Sequence, residues 1–92
     1  MQFEWDEGKA GQNLAKHGVD FAWAALVFAD PRRVTFDDNR CDYGEPRQNT
    51  IGAVGAALIL CVTHTNRHGA LRLISARRAS RHERKLYHGQ TS

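Results

Sequence analysis

The last quarter of the chain gathers side chains suited to holding a phosphodiester: Arg72, Arg77, Arg78, Arg81, Arg84, Lys85 and Tyr87. Guanidinium offers a planar fork of five N–H donors that matches phosphate oxygens. A tyrosine ring stacks on an unpaired base, and its hydroxyl can pass a proton. On a strand, alternation puts Arg72 and Arg78 on one side and Arg77 on the other. On a following helix, Arg81, Arg84 and Lys85 fall at i, i+3 and i+4 and form one cationic ridge. Tyr87 then lies roughly 120° from Arg81 around the axis, placed to flank a shared groove rim. Glu83 is the one acid in this stretch, so the ridge reads either as an anion site or as a solvated basic helix.

Other residues carry a chemical reading beside a structural one. Glu83 would serve as a general base, but three residues after Ser80 it has the spacing of a capping box. His64 ends an apolar run, next to Arg67 and His68, and a neutral imidazole suits proton transfer; a strand-end histidine satisfied by its neighbours is the alternative. A metal at Cys61, His64 and His68 is rejected, because residues 61 and 64 face opposite sides of a strand and no second Cys/His pair completes the set. Ser75 and Ser80 lack a base with its own orienting carboxylate, and no glycine-rich phosphate loop follows a strand. No lysine occurs between Lys16 and Lys85, so a site in the middle of the chain must use Arg, His or Tyr.

The elements that position these groups fit one domain over residues 1–92. Net charge is +3, but residues 1–45 hold nine acids against five Lys and Arg, and residues 46–92 hold Glu83 against eight. Arginine outnumbers lysine ten to three, a balance that points to a phosphate-bearing partner. No apolar run approaches the length of a membrane span, and the acidic start is unlike a signal peptide, so a cytoplasmic location is expected. Cys41 and Cys61 allow at most one bridge, and nothing argues that it forms.

Phe3-Glu4-Trp5 reads as a short strand. Asp6 caps a helix that runs to about Lys16 and stops at Gly18. Asp20 caps a second helix with Phe21, Ala24, Ala25 and Phe28 on its apolar face, ended by Asp30-Pro31. Four strands follow: 33–36, 47–54, a central 57–64 that is apolar on both faces, and 71–76. A polar loop carrying Arg40 and Asp42 joins the first two. Ser80 then opens a short terminal helix ending near Gly89. Helices first and consecutive strands after imply an α+β domain with a mostly antiparallel sheet.

Phe3-Glu4-Trp5-Asp6, Lys9, Asn13 and Lys16-His17-Gly18-Val19-Asp20-Phe21 resemble the opening of the BrnT family of bacterial type II toxins. Thr50-Ile51-Gly52, Ile74-Ser75-Ala76-Arg77-Arg78-Ala79, Glu83-Arg84 and Tyr87 resemble its second half in the same order. The resemblance implies a RelE-like fold, with two N-terminal helices packed on the sheet and a C-terminal helix. It implies a ribonuclease toxin that blocks translation by metal-independent RNA cleavage, with no cofactor, through attack of the RNA's own 2′-hydroxyl. It also implies a BrnA-like ribbon-helix-helix antitoxin whose complex with the toxin binds operator DNA.

On that reading Arg77 and Arg81 stabilise the phosphorane, Tyr87 stacks on a base or protonates the leaving oxygen, and His64 is the general base. Arg47, Arg67, Arg78, Arg84 and Lys85 hold the RNA. Two alternatives stay open: a non-catalytic basic nucleic-acid binder, and a ParE-like toxin acting on a protein such as gyrase.

Overall fold

Asp6 starts the first helix as its spacing predicts, its carboxylate accepting from the Lys9 N–H at 2.9 Å. A computed structural model describes residues 1–39 and 44–89. In it β1 (Phe3–Glu4) leads to α1 (Glu7–His17), α2 (Phe21–Ala24) and a 3₁₀ turn (Ala25–Ala29). Then come β2 (Val34–Asp37), β3 (Gln48–Val54), β4 (Leu58–Arg67), β5 (Ala70–Arg78) and α3 (Arg81–Gly89). Arg40, Cys41 and Asp42 of the expected polar loop, and with Cys41 any bridge to Cys61, lie outside the described residues; Cys61 itself is buried. No described helix is long and apolar enough to cross a membrane.

The strands form one sheet in the order β1-β5-β4-β3-β2, antiparallel throughout except for the parallel β1–β5 pair. The fold is α+β, as the element order predicts. One face carries Val54, Leu60, Val62, Leu73 and Ala76 and packs against Phe21, Ala24, Val27 and Phe28. The other face carries Ile51 and Cys61, which pack against Ala79 and Tyr87 at the two ends of the terminal segment. The sheet therefore lies between α2 with its 3₁₀ turn on one face and α3 on the other.

The second helix departs from its expected form. After four residues it tightens into the 3₁₀ turn that carries Val27 and Phe28 into the core. Val27 there presses on β3 at Gly52, where a Cβ would stand 2.7 Å from Val27 Cγ1 and 3.1 Å from its carbonyl oxygen. No other residue permits that approach.

α1 contributes one buried side chain, Asn13. Its amide nitrogen donates to the carbonyls of Val19 (3.0 Å) and Ala76 (2.8 Å), and its oxygen accepts from the Ala76 N–H at 3.0 Å. Since β1 pairs with β5 only at Leu71 and Arg72, the Asn13 side chain does for Ala76 what a neighbouring strand would do. Buried backbone groups left unpaired cost about 1–3 kcal/mol each. Asn13→Ala should therefore lower unfolding stability by roughly 2–4 kcal/mol in urea titration; a loss below about 1 kcal/mol would show that water replaces the amide.

Candidate functional site

A single irregularity in β5 sets the direction of the arginines. Thr63 pairs with Ser75 and His64 with Leu73, which leaves Ile74 as a β-bulge. Leu73 and Ala76, three residues apart, consequently both point into the same core. The shift corrects the facing expected from simple alternation. Arg72 pairs with Thr65 and Arg77 with Cys61, so these two share the face that carries α3, while Arg78, opposite Leu60, takes the other. One added residue reverses the parity of everything beyond it.

The same face carries Asn49, Thr63 and Thr65, all buried. Thr63 Oγ1 donates to Asn49 Oδ1 and Thr65 Oγ1 donates to the Pro46 carbonyl, each at 2.6 Å. Half-buried Arg47, Arg72 and Arg77 and exposed Arg67 flank this polar floor, and each has a carboxylate within 4 Å. Arg77 forms a two-pronged pair with Glu83, at 2.7 Å (Nη1–Oε1) and 2.9 Å (Nη2–Oε2). Arg67 reaches Glu45 at 3.1 Å and Arg47 reaches the same carboxylate at 3.7 Å. Arg72 lies 3.7 Å from Glu4. The sequence reading names Glu83 as the one nearby acid; folding adds Glu4 and Glu45 from the acidic half.

Glu83 has two tasks at once. Its Oε1 accepts from the Ser80 N–H at 2.8 Å while Ser80 Oγ accepts from the Glu83 N–H at 3.1 Å, the capping box that the spacing predicts. The hydrogen bonds from Arg77 outweigh the effect of burial and, with smaller help from the Ser80 N–H and the Cys61 thiol, hold its pKa down at about 2. The cations of α3 stand apart from this pair. Arg81, Arg84 and Lys85 are exposed, as is Arg78 just before the helix, and Arg84 Nη1 also donates to the Ala79 carbonyl at 3.1 Å.

Tyr87 and His64 are not on this exposed surface. The angle between Arg81 and Tyr87 turns Tyr87 toward the sheet, where it is 6% exposed. Its hydroxyl donates to Asp30 Oδ2 at 2.6 Å. That oxygen also accepts from the Ala53 N–H at 2.8 Å, and Oδ1 accepts from the Arg32 N–H at 2.9 Å. Burial alone would raise the Asp30 pKa, but these hydrogen bonds, from Tyr87 first, bring it below its ordinary value. The same bond, together with burial, raises that of Tyr87. The Tyr87 ring packs with Ile51, Cys61 and Ala79 beneath α3, and the residue also lines a crevice of about 390 Å³ with Arg32 and His88.

His64 is 3% exposed and lies on the opposite face from Arg77, by the register. Its Nε2 and Thr50 Oγ1 share a hydrogen bond of 2.8 Å, and Thr50 shares another of 2.8 Å with Thr35. Its ring meets Phe28 edge-on at 5.0 Å. Burial pushes its pKa down to about 4. The structure therefore places His64 and Arg77, both expected in one site, on opposite faces of the sheet.

Folding thus pairs Arg77 with Glu83 of α3 and joins Arg47 to Arg67 through Glu45, while His64 and Tyr87 are elsewhere. It also reveals a grouping that the sequence reading missed. Lys9, Gln12, Lys16 and His17 of α1 face Arg47 and Ser75 across a crevice of about 280 Å³. The available signal was the seven-residue spacing of Lys9 and Lys16, which puts both on one helix face. Among the described residues, no group of three His, Cys, Asp or Glu could hold a metal ion.

Comparison with known proteins adds to this geometry. The family profile described as "Ribonuclease toxin, BrnT, of type II toxin-antitoxin system" matches residues 5–83. Among solved structures, the Brucella abortus ribonuclease toxin BrnT is similar at 32% identity and a TM-score of 0.68, covering 88% of this chain and 99% of that one. No curated protein matches.

The two shifted pKa values predict a two-stage acid response. As pH falls below 6.5 the unfolded chain protonates His64 first, so stability declines until about pH 4 and this contribution then levels off. Glu83 contributes fully above pH 4.5, and its contribution is lost as pH falls toward 2. Urea midpoints measured against pH should show both segments, and His64→Gln should flatten the upper one alone. An unchanged upper slope in that variant would assign it to another group.

Proposed function

The chain belongs to the BrnT family of ribonuclease toxins of type II toxin–antitoxin systems, and from that premise we propose that it cleaves RNA without a metal ion on the sheet face beside α3. The fold is of the RelE-like kind on this reading. The supporting observation is the Arg77–Glu83 fork at the start of α3, two residues from the exposed Arg81. The carboxylate fixes the plane of one guanidinium, and the second stands outside it in solvent.

The RNA's 2′-oxygen attacks the adjacent phosphorus as its proton passes to solvent. The P–O5′ bond breaks and the 5′-oxygen takes up a proton. The products are a 2′,3′-cyclic phosphate and a 5′-hydroxyl. Negative charge builds on the phosphorane during this exchange, and Arg77 and Arg81 stabilise it electrostatically. A prealigned donor needs no reorganisation at that moment, which is the contribution of Glu83.

Arg47, Arg67, Arg78, Arg84 and Lys85 contact the RNA backbone. Tyr87 and His64 act through the scaffold: Tyr87 anchors α3 to Asp30, and His64 stays neutral in the core. In the cell the cleavage stops translation, and a BrnA-like ribbon-helix-helix antitoxin neutralises the toxin and carries the complex to operator DNA.

Purified protein incubated with end-labelled RNA in EDTA should release fragments ending in 2′,3′-cyclic phosphate. Arg81→Ala should lower kcat/KM by on the order of 10²-fold, the loss typical of one transition-state donor. Intact RNA at high protein excess would overturn the reading in favour of a non-catalytic binder or a toxin with a protein target.

Tyr87→Phe separates anchoring from chemistry. It should cost about 1–3 kcal/mol of stability through the lost bond to Asp30, with cleavage retained by the folded fraction. A folded but inactive Tyr87→Phe would return the hydroxyl to the reaction.

A further inference from the structure

The crevice between α1 and β5 is lined by Lys9, Lys16, His17 and Arg47 with the neutral side chains of Gln12 and Ser75, and no carboxylate lines it. Its position follows from two features already described. The bulge at Ile74 turns Ser75 toward the Arg77 face, and Asn13 holds α1 against the β5 edge. The crevice therefore opens beside the face that carries Arg72 and Arg77, across β5 from α3.

Helix electrostatics explain only part of this lining. Lys16 and His17 occupy the last turn of α1, where cations offset the helix dipole. Lys9 sits near the opposite end, where a cation opposes the dipole. Seven residues separate the two lysines, roughly 10 Å along the axis, and both are exposed. Among the described residues neither ammonium has a carboxylate partner, whereas Arg47 on the far wall is held by Glu45. A wall with ammonium groups two turns apart, a guanidinium opposite, and hydroxyl and amide donors between them suits an extended polyanion.

We propose that this crevice is a second phosphate-binding subsite, one that holds the backbone of a single-stranded RNA on the α1 side of the sheet, away from the phosphodiester at Arg77 and Arg81. The inference rests on the ribonuclease reading and extends it. The substrate runs across β5 from α3 to α1, with its flanking phosphates neutralised by Lys9 and Lys16. Length of contact, more than base recognition, is what this arm supplies.

The test uses a 2′-O-methyl RNA, which keeps its phosphates but lacks the attacking hydroxyl. Binding to the wild-type chain and to a Lys9→Ala/Lys16→Ala double variant is followed across a salt series. The double variant should bind on the order of tenfold more weakly at low salt, with the slope of log affinity against log salt reduced by about 1.4, the single-strand value for two lost phosphate contacts. Lys9→Arg/Lys16→Arg should restore both quantities, and matching thermal melts exclude misfolding. Equal affinity and equal slope in the alanine variant would overturn the subsite. So would unchanged RNA binding coupled with weaker capture of an acidic protein partner, which would assign the crevice to protein recognition. Failure of the ribonuclease reading is separately visible, as wild-type protein that leaves unmodified RNA uncut.

Discussion

The extra residue in β5 governs which cations share a surface. Without the bulge at Ile74, keeping Leu73 in the core would turn Ala76 away from it and send Arg77 toward the N-terminal helical segments. With it, the apolar pattern and the cationic pattern of one strand are both accommodated. Leu73 and Ala76 go inward, while Arg72, Ser75 and Arg77 face the side of α3. Bulges recur where a strand must re-aim a side chain without losing its place in the ladder, and here the re-aimed group is the guanidinium that Glu83 then aligns.

Electrostatics follow the same economy. The basic half of the chain folds against the acidic half, so Glu4, Glu45 and Glu83 each hold at least one arginine. Such pairs near the surface add little stability, but the two-pronged Arg77–Glu83 pair defines the plane of its guanidinium before any ligand arrives. The cations of the α3 ridge and of α1 remain in solvent. The protein thus has two sorts of positive charge, oriented groups on the sheet and adaptable ones at its borders. Asp30 joins this arrangement to the fold, since one carboxylate accepts from the Arg32 N–H just beyond the 3₁₀ turn, a backbone N–H of β3 and the hydroxyl of Tyr87 in α3.

Local signals in the sequence announced most of the fold. Asp6, Gly18, Asp20 and the Ser80–Glu83 pair mark helix ends by short-range hydrogen bonds, and each does so in the structure. The apolar run 57–64 became the central strand β4. What stayed hidden depends on pairing across the sheet. A bulge is a property of two strands, so the facing of Arg72, Arg77 and Arg78 could not be read from β5 alone. The partners of Arg67 and Arg72 are remote in sequence, and Glu45, two residues from Arg47, falls in the other half of the charge tally. The burial of Tyr87 is not legible in its spacing, because spacing along a helix gives an angle between residues, whereas the side that meets the sheet is set by Ala79, Ile51 and Cys61. His64 looked accessible as the end of an apolar run, but β4 continues to Arg67 and Phe28 covers the ring.

Asn13 has a consequence beyond the hydrogen bonds it makes. A sheet of this order has two rims, and an unpaired rim invites a strand from another chain. β1 shields only the start of β5, yet Ala76 further along already has both its backbone groups taken by an amide side chain that no incoming strand can displace without losing the tie to Val19 as well. Intermolecular strand addition at that rim is therefore blocked by a side chain, and edge-to-edge polymerisation would need two usable rims where the described residues offer β2 alone.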